Sequence, residues 1–248
     1  MTDATNASRT MLMNIHTGKW DMCLCEAFGI PIEMLPEIVP TQQLSFGTIC
    51  KGSFSGVTIG RMISDQQASL YAHSAGGECG ILKCTYGTGC FLMQNTGRKA
   101  VFADGLITTV AFQVENCLNY ALEAYVAFGG AELDALVAKG EFGSVHEIDN
   151  LVAFPAHSES TMRKKEKATR LYKGLCELIA KQVALFQKAL NMPFEFRVDG
   201  GLANSNSLMQ MQADTLGFPV HRMRQTEATS LGAVGCLNQG KFDVFFPA

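Results

Sequence analysis

Three consecutive runs decide how the chain folds: Gly80-Ile-Leu-Lys-Cys-Thr85, Tyr86-Gly-Thr-Gly89 and Cys90-Phe-Leu-Met-Gln94. The outer two are short and mostly apolar, and the middle one carries two glycines. That order reads as a strand, a tight turn and a return strand. Downstream, Gly105 to Phe112 is a second β-rich run, and Tyr120 to Tyr125 begins a third. Val126 to Lys139 reads as a helix closed by Gly140, and residues 141–160 as loop. Thr161 to Leu190 is the longest helical pattern, with Leu171, Leu175, Leu178, Ile179, Val183 and Phe186 on one face. Phe194 to Val198 is a buried strand that enters the turn Asp199-Gly-Gly201. Ser205 to Gly217 is a helix ended by glycine, with Pro219 beyond. Val220 to Met223 then reads as a strand and Glu227 to Gln239 as a last helix. Strands followed by alternating helix and strand define an α/β chain with a mixed sheet and flanking helices.

Upstream of the hairpin the texture is different. Trp20 to Phe28 has helical spacing, and Gly29, Pro31, Pro36 and Pro40 punctuate an extended connector. Asp65 to Ala72 reads as a short helix with Asp65 at its cap or first turn.

Composition narrows the function. The chain has 248 residues, 47% hydrophobic and 17% charged, enough for a sizeable core. The net charge of -3 and the lack of a long basic stripe argue against nucleic acid. The one basic run, Arg163 to Lys167 with Arg170, reads as a solvated helix face. Nine scattered cysteines without a CxxC pair favour neither a disulfide framework nor a zinc site, and they suit a reducing compartment such as the cytoplasm. No run of about 18 apolar residues predicts a membrane span.

Three glycine turns are candidates for chemistry. Tyr86-Gly-Thr-Gly89 would let a backbone approach an anion, with the Thr88 hydroxyl as an extra donor; a plain hairpin needs glycine as well. Val198-Asp-Gly-Gly201 runs from a strand into a helix, which suits a phosphate at a helix N-terminus or an ordinary βα turn. Phe128-Gly-Gly130 lies in a helical pattern, where glycine marks either close approach of a ligand or tight helix packing. No GxxxxGK[ST] loop, no protein-kinase signature and no GxSxG elbow is present. Asp65, followed by Gln66, is the best placed carboxylate to take a proton from an alcohol; a helix cap is the plainer reading.

Taken together, the ordered motifs resemble the FGGY family of carbohydrate kinases, and glycerol kinases within it. The stretches that carry the resemblance begin with Thr2-Asp-Ala-Thr-Asn-Ala-Ser-Arg9 and Asn14-Ile-His-Thr17, followed by Asp65-Gln-Gln-Ala68 and Thr85-Tyr-Gly-Thr-Gly-Cys-Phe91. Asn95-Thr-Gly97, Val198-Asp-Gly-Gly201 and Leu208-Met-Gln210 complete them. The resemblance implies an actin-like, ribonuclease-H-like fold that moves the γ-phosphoryl group of ATP, with Mg2+, to a terminal hydroxyl of glycerol. It implies that Asp65 is the catalytic base, that Asp65 and Gln66 hold glycerol, and that Phe91 packs on its carbons. It implies nucleotide contacts at Thr88, Gly130, Gly201 and Ser205, with glycerol and ATP or ADP as the partners.

The departures from the family pattern matter too. Asp134 stands where the family usually has Gln, and Ser205 where it usually has Asn. A Gly-rich segment with Ala-Pro-Tyr-Trp is missing before the long helix. On this resemblance residues 1–75 are a remnant of an N-terminal domain carrying the base, and residues 76–248 are the C-terminal, nucleotide-binding domain. The expectation is an incomplete glycerol kinase, inactive by itself, that needs its N-terminal domain or a second copy. The alternative is a degenerate, non-catalytic binding or structural subunit.

Overall fold

The computed structural model describes residues 1–42, 45–225 and 227–238. The expected end of the last helix at Gln239 lies outside them. In chain order the strands are β1 (Thr2–Asp3), β2 (Met13–Asn14), β3 (Lys19–Trp20), β4 (Ile38–Val39), β5 (Ile81–Tyr86), β6 (Cys90–Gly97), β7 (Ile107–Val114), β8 (Cys117–Val126), β9 (Glu195–Asp199) and β10 (Val220–Arg222). The helices are α1 (Ala4–Ala7), α2 (Met22–Ala27), α3 (Asp65–His73), α4 (Gly130–Ala138), α5 (Val145–Ala153), α6 (Glu159–Leu190), α7 (Asn206–Leu216) and α8 (Ala228–Leu237). The chain divides into two compact units, and strands β6 and β8 are each shared between them.

The first unit holds Met1–Cys79, Met93–Glu123 and the chain from Ala228. Strands β7 and β8 pair antiparallel, from Ile107 opposite Glu123 to Val114 opposite Cys117. Leu70 and Tyr71 of α3 pack with Met93, Ala111, Phe112, Ala121 and Cys236 of α8 in one apolar cluster. The Tyr71 and Phe112 rings meet edge to face at 5.4 Å. Helices α3 and α8 touch closely enough that a Cβ on Gly232 would fall 1.7 Å from the Ala68 carbonyl oxygen. Only glycine fits there.

The second unit holds Gly80–Leu92 and Ala124–Glu227. Strand β9 lies between β10 and β5 and is parallel to both, with Thr85 opposite Asp199. The parallel strands here and the antiparallel pair in the first unit make the architecture mixed α/β. Helix α6 starts at Ser158, whose hydroxyl oxygen accepts from the Thr161 amide at 3.2 Å. It ends at Asn191 in the left-handed region, and buries Tyr172, Leu175, Ile179, Val183 and Phe186.

Three expectations need correction. Helix α4 begins at Gly130, not Val126, because Val126 completes strand β8. Residues 145–153 form α5 rather than loop: Ser144 caps it by accepting from Glu147 N at 3.0 Å, and Ile148 is fully buried. Leu178 is 38% exposed and stands outside the buried stripe of α6.

Candidate functional site

The turn Tyr86–Gly89 is held from beneath by its own strand. Leu82, Cys84 and Tyr86 are fully buried, and the Tyr86 hydroxyl donates to Gln212 Oε1 at 3.0 Å. Burial pushes the Tyr86 hydroxyl and the Cys84 thiol well above their ordinary pKa values, so both stay neutral across the ordinary pH range. The Gly87 amide donates to the Gly89 carbonyl at 3.0 Å and closes the turn.

The start of α4 docks on this turn. The Gly130 amide donates to Gly87 O at 2.8 Å, and the Ala131 amide to Thr88 O at 3.1 Å. The Gly129 amide donates to Glu132 Oε2 at 2.8 Å. Three amides that open the helix are therefore paired within the protein. A Cβ on Gly129 would lie 2.8 Å from Thr88 O, and one on Gly130 would lie 2.9 Å from Gly87 O. The two glycines are thus the condition for helix and turn to touch. On the other side, a Cβ on Gly89 would meet the Tyr125 ring at 2.7 Å.

The third glycine turn reaches the same place. Gly200 has φ +88, and a Cβ on it would lie 2.5 Å from Tyr86 O. Nothing lies within 4 Å of the corresponding position on Gly201, which faces open space. Thr88 is exposed, and its hydroxyl has no partner among the described residues. The three turns picked out in the sequence thus meet in one unit. They leave an exposed hydroxyl and a glycine backbone uncovered.

Ser205 sits at the N-cap of α7, where its oxygen accepts from Leu208 N at 3.0 Å and its hydroxyl donates to Asp149 Oδ1. Asp134, in α4, is exposed. The Phe91 ring, half-buried in β6, is 4.6 Å from that of Tyr125. Asp65 and Gln66 belong to the first unit. Asp65 is exposed in the first turn of α3, and its Oδ1 accepts from the Gln66 amide at 2.6 Å. Sequence reasoning missed Tyr125, which only its contacts with Gly89 and Phe91 reveal, and Asp149, which comes from the stretch read as loop. Among the described residues no three of His, Cys, Asp and Glu gather to hold a metal ion.

A mixed sheet flanked by helices, with a glycine hairpin packed against a helix start, is the architecture of the actin-like ATPases. The chain superposes on Plasmodium falciparum glycerol kinase, whose crystal structure holds ADP, with a TM-score of 0.81 and 26% identity, covering 99% of this chain and 55% of that one. It shares the fold of xylulose kinase from Lactobacillus acidophilus, with a TM-score of 0.76 at 18% identity, covering 98% of this chain and 58% of that one.

Sequence narrows the class to a family. The N-terminal domain of the FGGY family of carbohydrate kinases matches residues 1–70, and its C-terminal domain matches residues 157–238. The chain belongs to the FGGY family. It is 35% identical to the glycerol kinase of Alkalilimnicola ehrlichii and 37% identical to that of Koribacter versatilis, over 94% of this chain and 53% of each relative. It spans about half the length of the curated relatives it matches.

Proposed function

We propose that this chain carries the nucleotide-binding part and the catalytic base of an ATP-dependent glycerol kinase. The observation that carries the reading is the meeting of the three glycine turns, in a chain more than a third identical to glycerol kinases. Residues 1–75 are read as a part of the N-terminal domain and residues 76–248 as the C-terminal domain.

Each residue then has a task. The open Gly201 backbone and the Thr88 hydroxyl face the nucleotide phosphates. Gly130 keeps the start of α4 against the turn, which fixes where Thr88 points. Ser205 acts through position, since Asp149 and Leu208 already occupy its hydroxyl and it sets the start of α7 behind Gly201. Phe91, backed by Tyr125, offers an apolar surface to the glycerol carbons. Gln66 hydrogen-bonds glycerol. Asp65 takes the proton from the terminal hydroxyl as its oxygen bonds to the γ-phosphorus and the bond to the ADP oxygen breaks. The exposed Asp65 carboxylate is open to a substrate hydroxyl. Magnesium, bound together with ATP, would supply charge neutralisation at the phosphates, the setting in which this ion is usually held. The nine free thiols fit a cytoplasmic setting.

The test is glycerol-dependent release of ADP from magnesium ATP. The 248 residues assayed alone should turn over far below an intact glycerol kinase, because positioning groups elsewhere in the relatives' length share the work. Addition of an N-terminal half from a glycerol kinase should raise turnover. In that assembly Asp65→Asn should lower kcat by at least about a hundredfold. Full activity of Asp65→Asn would leave Asp65 as a helix-end residue only.

A further inference from the structure

Met1 to Arg9 is rich in polar residues, yet Asp3 and Thr5 are fully buried, and the chemistry above uses neither. The Asp3 carboxylate accepts from the Thr5 amide at 3.0 Å, the Asn6 amide at 3.0 Å and Asn6 Nδ2 at 2.7 Å. It also accepts from two hydroxyls, Thr5 Oγ1 and Thr41 Oγ1, each at 2.8 Å from Oδ2. A hydroxyl has one proton to give. Each threonine gives its proton to Asp3 and turns a lone pair outward. Thr5 Oγ1 accepts from the Ser64 amide at 2.8 Å, and Thr41 Oγ1 accepts from the Gln113 amide at 3.0 Å. One buried carboxylate thereby sets the direction of two relays, and each relay ends on a backbone N–H far away in sequence.

The Ser64 relay ends next to the proposed base. Ser64 is the N-cap of α3 and Asp65 is its first residue, yet the Ser64 side chain makes no capping bond. The entry of the helix is held from outside by Thr5. We propose that Asp3 and Thr5 are positioning residues for Asp65: they fix the peptide that carries it, and hence where its carboxylate stands. The catalytic meaning of this rests on Asp65 being the base; the relay itself does not. Only the wild-type pattern supplies the acceptor that the Ser64 amide needs. Valine at position 5 keeps the shape and removes it. Asparagine at position 3 turns an NH2 group toward donors that require an acceptor.

The test is amide hydrogen exchange on the 248-residue chain, residue by residue. The Ser64 amide should exchange at least about tenfold slower than in an unstructured peptide, although it precedes a helix. Thr5→Val should abolish that protection and leave Gln113 protected, and Thr41→Val should do the reverse. Asp3→Asn should weaken both, and Thr5→Ser should restore Ser64. If Thr5→Val does not fold, the unmodified chain and Thr41→Val still decide the matter. Exchange of Ser64 at the peptide rate in the unmodified chain overturns the proposal. So does a Thr5→Val variant that keeps Ser64 protected, or one that loosens every amide of the unit equally. In the assembly that turns over glycerol, Thr5→Val should lower kcat more than it raises the glycerol KM, with recovery in Thr5→Ser; an unchanged kcat overturns the positioning role. Asp65→Asn is the separate control. If it stays fully active the base assignment falls, while the exchange pattern still reports on the relay.

Discussion

Gly200 and Gly201 are neighbours with opposite duties, and replacing each by alanine separates structure from function. Gly200 has φ +88 and ψ 170, a conformation essentially reserved for glycine that costs a residue with a side chain about 1–3 kcal/mol. Its Cβ would stand 2.5 Å from Tyr86 O, whereas ordinary contact begins near 3.4 Å, so the turn and β5 must part by roughly 0.9 Å. Overpacking of that kind costs about 1–3 kcal/mol. The sum for Gly200→Ala is about 2–6 kcal/mol, which lowers Tm by at least about 4 °C for a chain of this size. Gly201→Ala meets nothing within 4 Å and has no left-handed φ, so its stability should stay within about 0.5 kcal/mol of the parent. If the open side of Gly201 receives phosphate, however, its Kd for ADP should rise about tenfold, or about 1.4 kcal/mol. The assays are thermal melting and calorimetric titration with magnesium ADP. A Gly200→Ala variant that melts with the parent would refute the packing argument. A Gly201→Ala variant that binds ADP as tightly as the parent would refute the assignment of that surface.

Three further outcomes follow from the packing and the thiols. Gly232→Ala places a Cβ 1.7 Å from Ala68 O and must push α3 from α8, at a cost of about 2–4 kcal/mol, read by melting and by faster amide exchange along α3. Iodoacetamide at pH 8 should label the exposed Cys23, Cys50 and Cys79 and spare the buried Cys84, Cys176 and Cys236 until the chain unfolds, as intact mass will show. Burial, the leading cause in each case, pushes Cys176 from 9.0 up to about 12 and Cys236 up to about 11. The folded state thus holds protons that the unfolded state releases; the stability these thiols contribute is complete below pH 9 and declines towards pH 11–12, so Tm should fall across that window.

The hairpin was legible because two apolar runs flank a glycine turn, a purely local signal. The body of α6 was legible for the same reason, since its apolar spacing is long. What the sequence hid is tertiary. Leu171 and Leu178 share the period of α6 but stand at the edge of its stripe, where with Phe128 and Gly174 they line a cavity of about 270 Å3. Val126 has the same character in a strand as in a helix, and only the pairing of β8 assigns it. Helix α5 was masked by glycines and polar residues on both sides, although Ser144 followed by Glu147 is a start signal. At the site, glycine content marked all three turns, but not that Gly200 is the constrained residue and Gly201 the open one. Burial of Asp3 cannot be read from a run of Thr, Asp and Asn, since it depends on partners as distant as Thr41.

The most direct test of the central claim is amide exchange of this chain with and without magnesium ADP. Saturable binding is expected, with slowed exchange at Tyr86–Gly89, Gly129–Ala131 and Gly200–Leu202 and no change along the middle of α6. No binding at about 1 mM nucleotide, or protection that spares all three glycine turns, would contradict it.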